Sequence, residues 1–406
     1  MNSKTHKLVW SVGVPCLAAC AVQAYDLNLS SNLPPVTFHG FASQGLLLSS
    51  DYNYLGNTTQ GSLNFTELGL NASINPFPRT RISVQGFDFD VGNVNEYDPF
   101  LDYAQIEYTF NDDIGIRAGR IRRPGGIYNH IQDVDLARTS VLLPQGVYDC
   151  RWRDFYCSID GGEVFGSISL QKAGSISYEA YAGVLSPSDN GGVARFVQNG
   201  VYGTGLAFSS IDQSPILGAQ LWYYTPLDGL RAGFSGGFVS DVGYTVASPN
   251  GMTIHSVINI PFLQGSLEYV WKSWTFQAEY FTMNLSGNTY TRVMTPFGPM
   301  TFTQTSGSLQ REAWYVGASH RFNKWAEAGV YYTEDYENTE STGNSKDFQK
   351  DLALSLRFDL TDWWIFKVEG HYIHGTGLIN DTAANRGITF DDRGWFMLAL
   401  KTTVSF

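Results

Sequence analysis

A period of two in the hydrophobic pattern limits this chain more than anything else in it. In its last segment Phe396, Leu398, Leu400, Thr402, Val404 and Phe406 fall on one side. Trp395, Met397, Ala399, Lys401, Thr403 and Ser405 fall on the other. The pattern recurs far upstream: Leu68, Leu70, Ala72 and Ile74 oppose Glu67, Gly69, Asn71 and Ser73, and Leu352, Leu354, Leu356 and Phe358 oppose Asp351, Ala353, Ser355 and Arg357. Such alternation makes half-buried strands, either on a soluble core or in a barrel wall that is apolar toward lipid and polar toward its lumen. No run of about 18 apolar residues follows the N-terminal segment, which argues against spanning helices.

Tight connections of turn-forming residues separate the alternating runs, at 75–79, 111–113, 172–174, 226–229, 272–273, 323–324 and 360–362. Longer polar or glycine-rich connections lie between them, near 49–61, 91–99, 123–161, 185–213, 241–261, 285–310, 337–347 and 375–393. Seven short and eight long connections join sixteen strands, or eighteen if 241–261 hides a further hairpin. Both chain ends then fall on the short-turn side. An even strand number with short turns at one end and long loops at the other is the pattern of an outer-membrane barrel.

Composition decides between the soluble and membrane readings. Charged residues are 16% of the chain, against about 25% in an ordinary soluble domain. Aromatic residues reach 15%, and many stand beside the short turns: Phe77, Phe110, Trp271, Trp274, Phe322, Trp325, Trp363 and Trp364. A soluble sandwich has no use for such a ring, whereas a headgroup interface does. The expected fold is all-β: a transmembrane antiparallel β-barrel over 36–406, preceded by a short periplasmic segment at 25–35.

The first residues have the pattern of an export signal: Lys4, His6 and Lys7, an apolar core from Leu8 to Val22, and small residues before a cut after Ala24. Cutting there takes the net charge from −12 to −14, since Lys4 and Lys7 leave and no acid does. The alternative is lipidation of Cys20 within "LAAC". Cys150 and Cys157 remain downstream, in "YDCRWRDFYCS". In the oxidising space beyond the inner membrane a disulfide between them can persist, and so short a loop would contribute about 2–3 kcal/mol. Two free thiols are the alternative, and the disulfide is the expectation.

The export signal, the terminal Phe406 with Val404 and Leu400, and the long connection after the fifth strand together resemble a bacterial outer-membrane porin of the general-diffusion type. The stretch 118–162, "AGRIRRPGGIYNHIQDVDLARTSVLLPQGVYDCRWRDFYCSIDGG", is similar to the matching region of a poorly characterised porin-like family of Gram-negative bacteria. The resemblance implies that loop 123–161 folds into the lumen as a constriction. It also implies that Phe406, Val404 and Leu400 are read by the barrel assembly machinery, that the chain forms a homotrimer in lipid and lipopolysaccharide, and that small hydrophilic solutes and ions pass by diffusion.

Charge is dense in and around that loop for a chain so poor in it. Arg117, Arg120, Arg122 and Arg123 mark its entrance; Asp133, Asp135, Arg138, Asp149, Arg151, Arg153, Asp154 and Asp160 follow, and Glu163 opens the next strand. Parity turns Arg117 and Arg123 toward the lumen, while Arg120 breaks it. Basic wall residues facing an acidic loop would set a transverse field that governs ion preference; ordinary salt pairs on a solvated loop are the alternative. Tyr128, Tyr148, Trp152, Phe155 and Tyr156 read as packing anchors, or as a track for solute.

The chain is expected not to be an enzyme and to need no cofactor, metal or nucleic acid. His371 and His374 are three apart on a strand and point to opposite faces, Ser319 and His320 likewise, and no HExxH, GxSxG or phosphate-binding glycine loop occurs. A surface-interaction barrel, adhesin or scaffold, is the alternative to a pore. An energy-coupled transporter is disfavoured, because no plug domain precedes the first strand near Val36.

Overall fold

The computed structural model describes residues 25–27, 34–92, 94–379, 384–391 and 393–406; the signal segment 1–24, with Cys20, lies outside them. The strands in chain order are β1 (Tyr25–Leu27), β2 (Val36–Ser49), β3 (Phe65–Phe77), β4 (Thr80–Val91), β5 (Phe100–Thr109), β6 (Gly115–Arg122), β7 (Ser158–Ser169), β8 (Ser175–Leu185) and β9 (Ala207–Ile211). They continue as β10 (Ser214–Tyr224), β11 (Leu230–Ala247), β12 (Thr253–Trp271), β13 (Trp274–Thr295), β14 (Gly298–Arg321), β15 (Ala326–Tyr336), β16 (Phe348–Thr361), β17 (Trp364–Gly375) and β18 (Gly394–Ser405). Two short helices, α1 (Arg153–Tyr156) and α2 (Gly192–Gly200), sit in the loops.

Every neighbouring pair is antiparallel, and β18 pairs back onto β2. Sixteen long strands close the ring, β2 to β8 and β10 to β18, with β8 joined directly to β10. The two extra strands are short: β1 pairs with the start of β2, and β9 extends the upper part of β11. No further hairpin hides in 241–261. Instead β11 and β12 run through it, and β13 and β14 run through 285–310, so both stretches expected as loops are paired strands. All seven short turns fall where the sequence puts them.

Closure explains why a chain of this composition is stable in lipid, where an unpaired backbone group has no water to bond to. The seam is at the C-terminus. The Phe406 backbone N–H donates to Gly40 O (2.9 Å), and the Phe406 carbonyl accepts from Gly40 N–H (3.1 Å). A Cβ at Gly40 would stand 2.5 Å from the Phe406 ring, so the glycine makes room for the terminal aromatic.

The two faces of β18 separate as the alternation requires: Phe396 is 60% exposed while Trp395 is fully buried. Leu68, Leu70, Ile106, Leu352, Leu354 and Leu356 likewise face out. All eight aromatics beside the short turns are exposed, forming the girdle of a lipid interface. The fold is a multi-pass outer-membrane β-barrel.

Candidate functional site: the loop across the lumen

The loop after the fifth barrel strand occupies residues 123–157, since β7 already begins at Ser158. Its neck is closed by Arg123 N–H donating to Cys157 O (2.8 Å). From there it is tied to strands all around the ring, which places it inside the barrel.

Toward β4, β5 and β6, Asp133 accepts from Arg122 Nη2 (2.7 Å) and Gln85 Nε2 (2.6 Å). Asp102 pairs with Arg122 (2.5 Å) and Arg153 (3.0 Å), and the Arg153 guanidinium lies 4.0 Å over the Phe87 ring. Burial alone would raise the Asp133 carboxyl, but Arg122 and Arg153 beside it hold it down, to about 2.

Across the lumen, toward β16, β17 and β18, Asp135 is the centre. It accepts from Arg138 Nη2 (2.9 Å), Lys401 Nζ (2.9 Å) and Thr403 Oγ1 (2.6 Å), with Lys367 Nζ at 3.7 Å. Lys367 Nζ also donates to the carbonyls of Asp135 (2.8 Å) and Ser140 (2.9 Å). Arg357 Nη1 donates to Leu136 O (2.7 Å), and Glu369 accepts the backbone N–H groups of Val141 (2.9 Å) and Leu142 (2.8 Å). Burial disfavours the charged Asp135 carboxylate, yet Lys401, Lys367 and Arg138 together hold its pKa well below the usual range.

On the third side, Glu279 of β13 accepts from Ile127 N–H (2.9 Å), Tyr148 Oη (2.5 Å), Tyr315 Oη (2.9 Å) and Ser266 Oγ (2.5 Å). Gly126 is required beside it. Its φ is +57°, and a Cβ there would stand 2.2 Å from Tyr148 Oη. Arg311, paired with Asp335 (2.7 Å), donates to Gly146 O (3.1 Å).

The extracellular side of the loop is covered. Asp154 accepts the N–H groups of Gly192 (3.0 Å) and Ser188 (3.4 Å) at the start of α2. Trp152 packs on Phe196 with ring centroids 5.3 Å apart. Asp149 pairs with Arg151 (2.5 Å), which donates to Leu378 O (2.8 Å) in the last long loop.

Several sequence expectations land differently. Arg117 faces the lumen but pairs with the wall carboxylates Glu107 (2.9 Å) and Glu163 (3.0 Å), not with the loop. Arg120 pairs with Asp160 (3.0 Å). Arg123 caps the Tyr156 carbonyl (2.7 Å) and lies 5.2 Å over Phe262. The charges expected to oppose one another across water are therefore largely neutralised in direct pairs. The aromatic residues behave as anchors: Tyr128 and Tyr148 pack edge to face at 5.6 Å, and Phe155 packs against the Ile121 and Ile159 cluster.

The expected Cys150–Cys157 disulfide is absent, and both thiols are free. The α1 turn sends them to different neighbours. Cys150 packs against the apolar cluster around Leu47 and Tyr54, while Cys157 Sγ donates to Gln132 Oε1 (2.7 Å).

The wall residues that hold the loop, Lys367, Glu369, Lys401, Glu279 and Arg357, were not singled out from sequence. Their signal was present: Lys367, Glu369 and His371 are charged or polar positions two apart on an otherwise apolar-faced strand.

No family model and no curated protein matches the chain. Solved structures do. OmpT of Vibrio cholerae matches at a TM-score of 0.58 and 12% identity, covering 94% of this chain and 100% of its own. Salmonella typhi OmpF, in complex with daunomycin, matches with the same score, identity and coverage. An anion-selective porin from Comamonas acidovorans matches at 0.54 and 9%, covering 91% and 99%. At 9–12% identity these likenesses show the fold, a closed antiparallel β-barrel of the outer-membrane kind.

The expectation that the chain is not an enzyme is corrected by these matches. Four of the structures are of OmpT, an outer-membrane protein of Vibrio cholerae. At 12–13% identity the likeness shows the fold alone, and the fold supplies no ground for excluding catalysis.

Proposed function

We propose that the chain is a narrow outer-membrane channel for passive diffusion of small hydrophilic solutes and ions, with loop 123–157 as its filter. One observation carries this reading: the loop leaves β6 and is fastened to the far wall, Asp135 to Lys367 and Lys401. A filter needs a fixed bore, and buried charge pairs with several hydrogen bonds each hold a segment in one position. Charge rings and bore width at such a place govern passage. The trimer expected from the resemblance belongs to the same proposal.

A second reading is a surface-interaction barrel with little conductance. It is favoured by the depth to which the loop is buried and by the α2 cover above it. Recording purified protein in planar bilayers separates the two. Stable open steps of small conductance support the channel, and silence from folded protein supports the scaffold. Cross-linking in detergent checks the trimer.

A further inference from the structure

A recess of about 160 Å³ remains between the loop and the short-turn halves of β12 to β16. Small residues on the lumen face create it: Gly317, Ser319, Gly329 and Ser355 on three adjacent strands. At Gly329 a Cβ would stand 3.2 Å from Thr139 Cβ of the loop, so the glycine sets how near the loop comes to the wall. The space holds on the order of ten waters, enough for a small polyol or sugar.

Its charges are all paired. Glu268 is bound by Arg231 (2.9 Å), Glu327 by Arg321 (2.8 Å) and Arg138 by Asp135 (2.9 Å). An ion entering here finds no uncompensated counter-charge. What the recess offers instead is aromatic faces, from Tyr128 and Tyr315, and hydroxyls, from Ser140, Thr275 and Ser319.

We propose that this recess is a binding subsite for a neutral polyhydroxylated solute, a small sugar or polyol, on the path that the channel reading assigns. Uncharged character follows from the paired charges, and hydroxyl richness from the hydroxyl and aromatic lining. The proposal rests on that channel reading for its transport role, but not for binding.

The test uses the full-length protein folded in detergent and in bilayers, with xylitol as probe and xylonate as its anionic counterpart. Calorimetric titration is expected to show saturable xylitol binding at least tenfold tighter than xylonate. Ser319→Leu, which fills the recess, should weaken it at least tenfold. Thr275→Val removes a lining hydroxyl with little change of shape, and is expected to weaken xylitol several-fold while heat-modifiable migration on gels stays that of the parent. In bilayers, xylitol should partly block the current of the parent and not of Ser319→Leu. Equal binding of xylitol and xylonate, or binding unchanged in both variants, overturns the subsite. A silent bilayer with xylitol binding intact would instead sink the channel reading and leave the subsite standing.

Discussion

Asp135→Asn is the change that tests most directly how the loop is held. The substitution keeps the shape and removes one negative charge from among Lys401, Arg138 and Lys367, all of which lie within 4 Å of it. Lys367 and Lys401 are each 1% exposed at the side chain. They cannot turn to water, and Lys367 retains only carbonyl partners. Removing one partner of a buried ion pair costs about 3–5 kcal/mol, because the other charge is left uncompensated. At about 1.4 kcal/mol per decade, that raises the population with the loop detached by between about a hundredfold and several thousandfold.

The barrel itself should survive, since its strand ladder uses none of these side chains. Release is therefore local, and two assays see it. Trypsin should cut at Arg138, Arg151 or Arg153 in a barrel that still migrates as folded on unheated gels, and single-channel conductance should rise. Adding Lys367→Met removes one of the stranded cations and is expected to recover roughly tenfold of the protection. Parent-like proteolysis and conductance in folded Asp135→Asn protein would refute the idea that this cluster fastens the loop.

Acid should release the same tether, with a definite sign. Asp133, at about 2, and Asp135 are both held below their ordinary values. Their contribution is therefore complete above the unfolded carboxylate value of about 3.9 and is lost as pH falls through the folded values. Loop protection from protease should be flat from pH 8 to about pH 5 and fall only below about pH 4; release near pH 6 would assign the tether to other groups. Arg117→Ala strands Glu107 and Glu163 without their cation, so the reversal potential in a salt gradient should move toward cations, and an unchanged value would remove Arg117 from the ion path. For the thiols, burial raises Cys157 to about 11 despite the nearby Arg153 and Arg122, and raises Cys150 further. Since the thiolate is the nucleophile, iodoacetamide should label both only after unfolding, and mobility should be the same with and without reductant.

The wall of this barrel was legible because lipid writes it into the sequence. Each outward position in the belt must be apolar and each short turn must reverse the chain at once, so parity and turn residues located all seven turns and the aromatic girdle. Above the belt that constraint lapses. From Thr301 to Gln310 both faces of β14 are exposed, and "TFTQTSGSLQ" reads as a loop although it is paired with β13 on both sides of a bulge at Gly307 and Ser308. Strand length beyond the membrane leaves no alternation to detect.

The far partners of the loop were hidden for another reason. Parity shows that Lys367, Glu369 and Lys401 face the lumen, but which of them meets Asp135 depends on ring closure and on the path of the loop, which separations of more than two hundred residues do not reveal. The density of charge in the loop was nevertheless the right clue, read for the wrong purpose. A segment crossing a polar lumen has little apolar surface to pack against and must be placed by directional bonds. Buried charges repay their desolvation only in one arrangement, so a one-residue slip of the loop would carry Asp135 away from the two wall cations Lys367 and Lys401 and deprive Glu369 of two backbone donors. Paired charge here specifies position first. Ion preference then follows from whatever the pairing leaves over, which is why a net charge of −12 is a poor guide to the path.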